Sequence, residues 1–573
     1  MVGGVAGGMS AAARARRLRE DADIIVLERG SEVSFANCGL PYFVGDEIQD
    51  EADLLVQTPE GLQASLGIDV RTNTDVLALD AARRSITVAD GDGEYELSYD
   101  ELILSPGATA IRPPIPGLGS PRVHTLRTVP DARGLKAAVE EGARTAVVLG
   151  AGFIGLEAAE ALEVRGLQTS IVELAPHVLP PLEIEMARLV TDELVRLGIS
   201  VHDGVSADAV EHGTDRDVVV LSDGTRLDAD IIVLSVGVRP DTRVWEDAGV
   251  ACERGAILVD ELGRTNVEGI WAVGDATASP DLVTGVHRPV ALAGPANRAG
   301  RIVADAIMGR RAHSLPGLLA TSIVRVGALT AAITGANRAS LDGAGIDYHT
   351  VHLHPLNHAG YFPGASQIHL MVHFGTDGRV LGAQAVGHDG VDKRIDVLAV
   401  AIKAGFTVAD LIDLDLAYSP PYGSAKDPVN MAGMMASNVL DGTLTLWHAG
   451  DVDDVLATSL VLDVRSAEEV AEGCLPGALN IPHTELRGRM TEVKRAANGR
   501  PVRVLCASGV RSYLAHRQLS QAGLDSANLS GGMLTLRAVL GERCDALLTI
   551  GQGLQPVGAD AANPAAAMAM SAP

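Results

Sequence analysis

The chain has 573 residues, 47% hydrophobic and 21% charged, with a formal net charge of −27, a length that exceeds one hydrophobic core and divides into three or four domains of an ordinary globular protein. So acidic a balance leaves no overall basic field for nucleic acid or anionic lipid and directs the expectation to small molecules. The five cysteines (Cys38, Cys252, Cys474, Cys506, Cys544) form no C-x-x-C pair and no even framework, so neither disulfide stapling nor a metal site is expected, and a reducing, cytoplasmic setting is. No run of about twenty apolar residues and no basic-then-apolar leader occurs, so no membrane span is expected.

The chain opens on Gly3-Gly4-Val5-Ala6-Gly7-Gly8, then an Ala/Arg-rich helical stretch from Ala11 to Arg19 and an apolar strand, Ile24 to Leu27, ending at Glu28. Turn, helix, strand and acid in that order make a dinucleotide site: helix N-terminal amides meet a pyrophosphate, and the acid, about 25 residues after the first glycine, holds a ribose hydroxyl. Gly3, Gly7, Gly8 and Glu28 are therefore candidate cofactor residues. Two features depart from the pattern. Val5 stands at the second consensus glycine, and only Met1 and Val2 precede Gly3 where an apolar strand should run. That first strand is expected to be missing, which points to a misplaced start codon or a trimmed chain.

Cys38 follows in Ser34-Phe35-Ala36-Asn37-Cys38-Gly39-Leu40-Pro41-Tyr42. A thiol just downstream of such a fingerprint is placed to trade electrons with a flavin. Thiolate is the reactive form, so a pKa lowered by a helix N-terminus or another positive dipole is expected. With no cysteine four or five residues away, Cys38 cannot close an internal disulfide and must cycle through a mixed disulfide or a sulfenic acid.

Further on, strand Ala146 to Leu149 runs into Gly150-Ala151-Gly152-Phe153-Ile154-Gly155, a helix carrying Glu157, and a second strand ending at Glu173. Here all three glycines are present, for the tight turn, the approach of backbone to phosphate, and helix packing on strand. Glu173, with no arginine close behind it, accepts a 2'-hydroxyl and repels a 2'-phosphate, favouring NADH over NADPH. Thr265 to Asp275, with Gly274, resembles the second FAD motif of two-dinucleotide-domain flavoproteins, in which the final acid contacts the ribityl chain and flavin phosphate. Tyr99 to Ala108, with Ser105 and Gly107, and Gly237-Val238-Arg239-Pro240 resemble the crossover segments between the FAD and NAD domains of that group.

Residues 1 to about 440 resemble the single-cysteine branch of the pyridine nucleotide disulfide oxidoreductases, the coenzyme A disulfide reductases, whose S-F-x-N-C-x-x-P-Y signature matches Ser34 to Tyr42. The resemblance implies an FAD-binding domain from residues 1–112 and 238–315, an NAD(P)H-binding domain at 113–237, and an α+β dimerisation domain at 316–440. It further implies a homodimer that lends two tyrosines to the partner's site. Tyr361 and Tyr418 are the candidates, with Tyr422 as runner-up for the second; a packing role is the alternative. Arg14 and Arg17 match positions that meet coenzyme A phosphates, and Ser34 and Asn37 flank the pantetheine thiol. NADH oxidases of the same branch typically place a histidine near the flavin where Ala6 stands, which weakens an oxidase reading.

After residue 443 the pattern resets. Strand Leu460 to Arg465, the segment Gly473-Cys474-Leu475-Pro476-Gly477, and strand Val502 to Leu505 ending at Cys506-Ala507-Ser508-Gly509-Val510-Arg511 resemble an α/β rhodanese domain over 450–545. Backbone amides from Cys506 to Arg511 are expected to form an anion nest for a thiolate or persulfide, with Arg511 adding charge or bracing the loop. Cys474, where histidine is frequent, reads as structural. Residues 552–573, rich in Ala, Pro and Gly, are expected to be disordered. The function implied is flavin-dependent reduction of coenzyme A disulfide, persulfide or polysulfide, coupled to sulfane-sulfur transfer. An NADH oxidase, and a sulfurtransferase or redox sensor with a defective flavin site, are the competing readings.

Overall fold

The computed structural model describes residues 1–549; the tail expected to be disordered lies outside them. The first glycine turn feeds helix α1 (Ala6–Leu18), whose buried face is built from small residues, Gly7, Gly8, Ala11, Ala12 and Ala15. Strand β1 (Ile25–Leu27) follows, then a short helix α2 (Leu40–Val44) and, after an antiparallel excursion, strand β2 (Leu102–Leu104). Met1 and Val2 occupy the sheet lane between β1 and β2. Val2 bridges Leu27 and Leu104 in parallel, its N–H donates to Ile103 O, and the Leu27 N–H donates to Met1 O, both at 2.9 Å. No full strand forms ahead of the first glycine turn; Met1 and Val2 alone hold its lane and pair with both neighbours.

The chain then builds a five-stranded parallel sheet from β3 (Val123–His124), β4 (Thr145–Leu149), β5 (Gln168–Glu173), β6 (Ser200–Asp203) and β7 (Ile231–Leu234), in the order β6-β5-β4-β7-β3. Helix α3 (Phe153–Val164) joins β4 to β5, and α4 (Ile184–Arg196) joins β5 to β6. The central strands are apolar runs, Ala-Val-Val-Leu and Ile-Ile-Val-Leu, because helices or sheets cover both faces. The order reverses between β4 and β7, which places a ligand crevice at their carboxyl ends. Returning to the first unit, the chain adds β8 (Ile270–Ala272), parallel to β2, and helix α5 (Ala293–Ile307), which packs along α1.

A five-stranded antiparallel sheet follows, made of β9 (Ser322–Val326), β10 (Leu329–Gly335), β11 (Tyr348–Leu353), β12 (Ile368–Gly375) and β13 (Val380–Gly387), in the order β9-β10-β13-β12-β11. Helices Val391–Ala404 and Pro428–Leu440 supply Leu398, Ala401, Val429 and Ala432 to its core. The last unit is a parallel sheet of β14 (Leu446–Trp447), β15 (Leu460–Asp463), β16 (Leu479–Asn480), β17 (Val502–Leu505) and β18 (Ser526–Leu529), in the order β14-β18-β17-β15-β16. Helices α6 (Val510–Gln521) and α7 (Gly532–Leu540) flank β18 in sequence. The whole is the expected α/β architecture. No helix among the described residues is long and apolar enough to cross a membrane.

Candidate active site

The two glycine turns are built alike. Gly3 and Gly150 have φ of +96° and +100°, and a Cβ on either would lie 1.9 Å from Ser105 O or 2.5 Å from Ser235 O. One turn later, a Cβ on Gly8 would lie 2.0 Å from Gly3 O, and one on Gly155 1.9 Å from Gly150 O. Each helix is therefore pressed on its turn by the absence of side chains. Gly7 is pressed on Val273 and Ser105 in the same way. The acids match too: Glu28 accepts from the Gly4 and Gly30 N–H groups at 2.7 and 2.9 Å, and Glu173 from Ala151 and Ala175 at 2.6 and 2.8 Å.

Both helices start without a cap from their own N-cap side chain and without an acid in the first turn; in α1 the Gly8 N–H is taken by the Ser105 hydroxyl, and the amides ahead of it are left for an anion. Around Gly152 an added Cβ would meet nothing within 4 Å, which is the open approach a pyrophosphate needs. The donor sets therefore fit FAD at the first turn and a nicotinamide dinucleotide at the second. The crossover segments pair as antiparallel strands, Ala108–Ala110 with Val238–Pro240. Gly237 accepts there from the Ile111 N–H at 3.0 Å, while Gly107 lies against Arg127 and Gly274 against the Ser105 hydroxyl.

Sequence reasoning missed two residues here. Ser235 donates to Leu149 O and Gly150 O at 2.9 and 3.0 Å, the counterpart of Ser105, whose hydroxyl accepts from the Gly8 N–H at 3.1 Å. The repeat of Leu104-Ser105-Pro106-Gly107 in Leu234-Ser235-Val236-Gly237 was the signal for it. Arg127, which pairs with Asp275 at 3.2 Å and whose carbonyl accepts from the Asn37 side chain at 3.0 Å, carries no local signal.

Cys38 lies on the single turn Asn37–Gly39 that leads into α2 and is exposed. The segment is tied to the first glycine turn, since the Ser34 N–H donates to Gly4 O at 2.9 Å. The thiol is pushed up, not down as expected: partial burial of the sulfur comes first, then the carboxylates of Glu157 and Asp275. Helix α2 has only five residues, so its dipole is outweighed by two facing anions. Glu157, on α3, is itself pushed up to about 7 by burial and accepts from the Tyr42 hydroxyl at 3.4 Å. Its charge also reaches the Cys38 thiol.

Of the two arginines expected on α1, Arg14 pairs with Asp305 of α5 at 2.6 Å. Arg17 is exposed. The Tyr361 and Tyr418 hydroxyls stand 3.3 Å apart, with both rings and Tyr422 exposed on the antiparallel unit.

Cys506 is buried at the end of β17, and its sulfur accepts from the Gly509 N–H and the Ser512 hydroxyl, each at 3.2 Å. The sulfur itself therefore has one amide and one hydroxyl as donors, and the Arg511 guanidinium interacts with it as well. Arg511 binds both oxygens of Glu469 at 2.6 and 2.7 Å and braces the loop. That pairing holds the Glu469 carboxyl down at about 2. Cys474 is buried, with its sulfur 3.3 Å from the Thr549 hydroxyl.

Comparison with known proteins agrees with this layout. The model of the pyridine nucleotide-disulphide oxidoreductase family matches residues 1–290, that of its dimerisation domain 321–428, and that of the rhodanese-like domain 447–537. A coenzyme A disulfide reductase of Staphylococcus haemolyticus (strain JCSC1435) is 35% identical over 444 residues, 77% of this chain and 99% of that protein. The reduced CoADR-RHD of Bacillus anthracis superposes with a TM-score of 0.92 at 41% identity, covering 95% of this chain and 98% of that one. An NAD-dependent persulfide reductase from A. fulgidus does so with a TM-score of 0.88 at 38% identity, covering 93% and 99%.

Proposed function

The chain belongs to the pyridine nucleotide-disulphide oxidoreductase family, and from that premise we propose that it uses NADH to split the sulfur–sulfur bond of coenzyme A disulfide or coenzyme A persulfide, while its rhodanese-like domain carries sulfane sulfur. One observation carries the reading: a lone exposed thiol, Cys38, sits on a segment tied to the first glycine turn and within the influence of Glu157 and Asp275. The resemblance of the Staphylococcus haemolyticus and A. fulgidus enzymes supports the substrate class.

Gly3, Gly8, Glu28, Ser105, Arg127 and Asp275 would hold FAD, and Gly150, Gly152, Gly155 and Glu173 would hold NADH. When bound, the flavin supplies two-electron exchange between reduced nicotinamide and a sulfur–sulfur bond. Cys38 thiolate attacks the coenzyme A sulfur. From the disulfide this expels coenzyme A thiolate; from the persulfide it expels hydrosulfide; either way Cys38 and coenzyme A share a mixed disulfide. Two electrons and one proton then return Cys38 thiolate and free coenzyme A thiol. Glu157, poised near neutrality, exchanges protons beside the Tyr42 hydroxyl and restrains Cys38 ionisation. Arg17 offers its charge to a coenzyme A phosphate, and Asn37 and Ser34 flank the thiol end. In the homodimer that the dimerisation domain implies, the paired Tyr361 and Tyr418 hydroxyls would reach the partner protomer's substrate sulfur as proton donors.

The experiment is Cys38→Ser. NADH consumption with coenzyme A persulfide should stop while flavin absorbance is retained; turnover at the wild-type rate overturns the mechanism.

A further inference from the structure

We propose that His352, on the antiparallel unit, is a positioning residue for the Cys506 loop, so that the sulfur-carrying site is shaped from outside its own domain. The inference rests on the reading of Cys506 as a sulfur carrier.

Where α4, β11 and the rhodanese-like domain meet, the packing leaves a cavity of about 700 Å³ bordered by Glu185, Arg338, His352, His448 and Thr535. Leu446 packs on the core of the antiparallel unit here, and a buried polar chain crosses the junction beside it. Arg338 binds both oxygens of Glu185, at 3.2 and 2.5 Å. Glu185 Oε1 lies 2.8 Å from His352 Nε2, and His352 Nδ1 lies 2.8 Å from the Ser530 hydroxyl. An ionised carboxylate only accepts, so Nε2 carries a proton toward Glu185, and Nδ1 shares the second hydrogen bond with the Ser530 hydroxyl. The same hydroxyl oxygen accepts from the His352 N–H at 3.2 Å. Next to it, His354 Nε2 lies 3.1 Å from Gly531 O and 3.0 Å from the Thr535 hydroxyl. Glu185, His352 and Ser530 are each 3% exposed or less, so every one of these groups depends on its partner.

What they grip is the floor of the thiol cradle. Gly531 and Gly532 are both left-handed, at φ of +68° and +62°. A Cβ on Gly532 would fall 2.5 Å from Cys506 O and 2.7 Å from the Gly509 nitrogen, and one on Gly531 would fall 2.9 Å from His352 Cβ. The Met533 and Leu534 N–H groups donate to Cys506 O and Ala507 O at 2.9 and 3.0 Å. The Gly509 N–H pressed by this floor is the amide that donates to the Cys506 sulfur. The contacts therefore run from Glu185 through His352 and Ser530 to the donor that stabilises the thiolate, and a slackened floor weakens that donor.

The test uses full-length holoenzyme carrying His352→Ala, His352→Asn or Ser530→Ala. Arg511 and Glu469, the charged groups beside Cys506, stay in place. Three quantities are measured: alkylation of Cys506 by iodoacetamide against pH, resolved by peptide mapping; transfer of sulfur from thiosulfate to cyanide; and NADH-dependent reduction of coenzyme A disulfide. Both alanine variants should move Cys506 alkylation to higher pH and lower kcat for sulfur transfer about tenfold, with KM for thiosulfate and disulfide reduction within about twofold of wild type. His352→Asn, which keeps a polar partner for the Ser530 hydroxyl at the Nδ1 position, should restore most of the loss. Should His352→Ala fail to fold, Ser530→Ala, which loses one hydroxyl, decides. An unmoved alkylation profile in the alanine variants, no rescue by asparagine, or an equal fall in disulfide reduction overturns the proposal. Wild-type enzyme that transfers no sulfur overturns the carrier reading instead, and the alkylation profile still judges the positioning role.

Discussion

At Cys38 the surroundings oppose ionisation. Below about pH 7 Glu157 holds a proton and adds little charge to the site; above it, the carboxylate pushes the thiol further up. Glu157→Gln removes that charge at every pH. The alkylation profile of Cys38 should therefore move to lower pH, and its alkylation rate at pH 8 should rise roughly three- to tenfold. A profile identical to wild type, read by iodoacetamide labelling and peptide mapping, would show that the thiol does not sense Glu157. The identity of Cys38 was legible from its short motif, but its electrostatics were not. The motif contains the turn and the start of a helix, and the two opposing anions arrive from α3 and from the turn after β8, far along the chain.

At the scale of single elements, the matched turns separate a glycine needed by the fold from one needed by a ligand. Gly155 has no room for a methyl group, with Gly150 O at 1.9 Å and the Ser235 hydroxyl at 2.8 Å from the added carbon. Gly155→Ala should push α3 off β4 and cost several kcal/mol through overpacking, seen as low yield and a lowered thermal midpoint. Gly152, at φ of −75° and facing empty space, accepts alanine without strain. Gly152→Ala should fold with an unchanged thermal midpoint yet raise KM for NADH roughly tenfold, because the methyl group occupies the approach of the pyrophosphate. Equal thermal loss in both variants would refute the distinction. The same turns show how far local pattern reaches. The helix predicted from Ala11 begins at Ala6, because Gly7 and Gly8 are helical residues kept small for close contact, not turn residues. In place of the expected first strand, Met1 and Val2 pair with β1 and β2.

For the whole molecule, the order of units was legible because each carries its own fingerprint: two glycine turns with acids, a lone cysteine, and a second cysteine ending a strand. Their mutual placement was not. Glu185, Arg338, His352 and Ser530 lie on four separate segments, with no shared spacing to connect them before folding. The two candidate thiols fall in different units, Cys38 exposed and Cys506 buried in its cradle, so the proposed division of labour can be tested by removing one sulfur at a time. Cys506→Ala leaves Cys38, the thiol proposed to split the disulfide, and both nucleotide turns untouched. Reduction of coenzyme A disulfide should therefore stay within about twofold of wild type. NADH consumption driven by thiosulfate and free coenzyme A should fall more than about tenfold, because the first sulfur acceptor is gone. Supplying coenzyme A persulfide directly bypasses that acceptor and should bring the rate back. A variant that loses disulfide reduction and sulfane-driven turnover to the same extent, or that preformed persulfide does not rescue, would mean that the two thiols act as one site rather than in sequence.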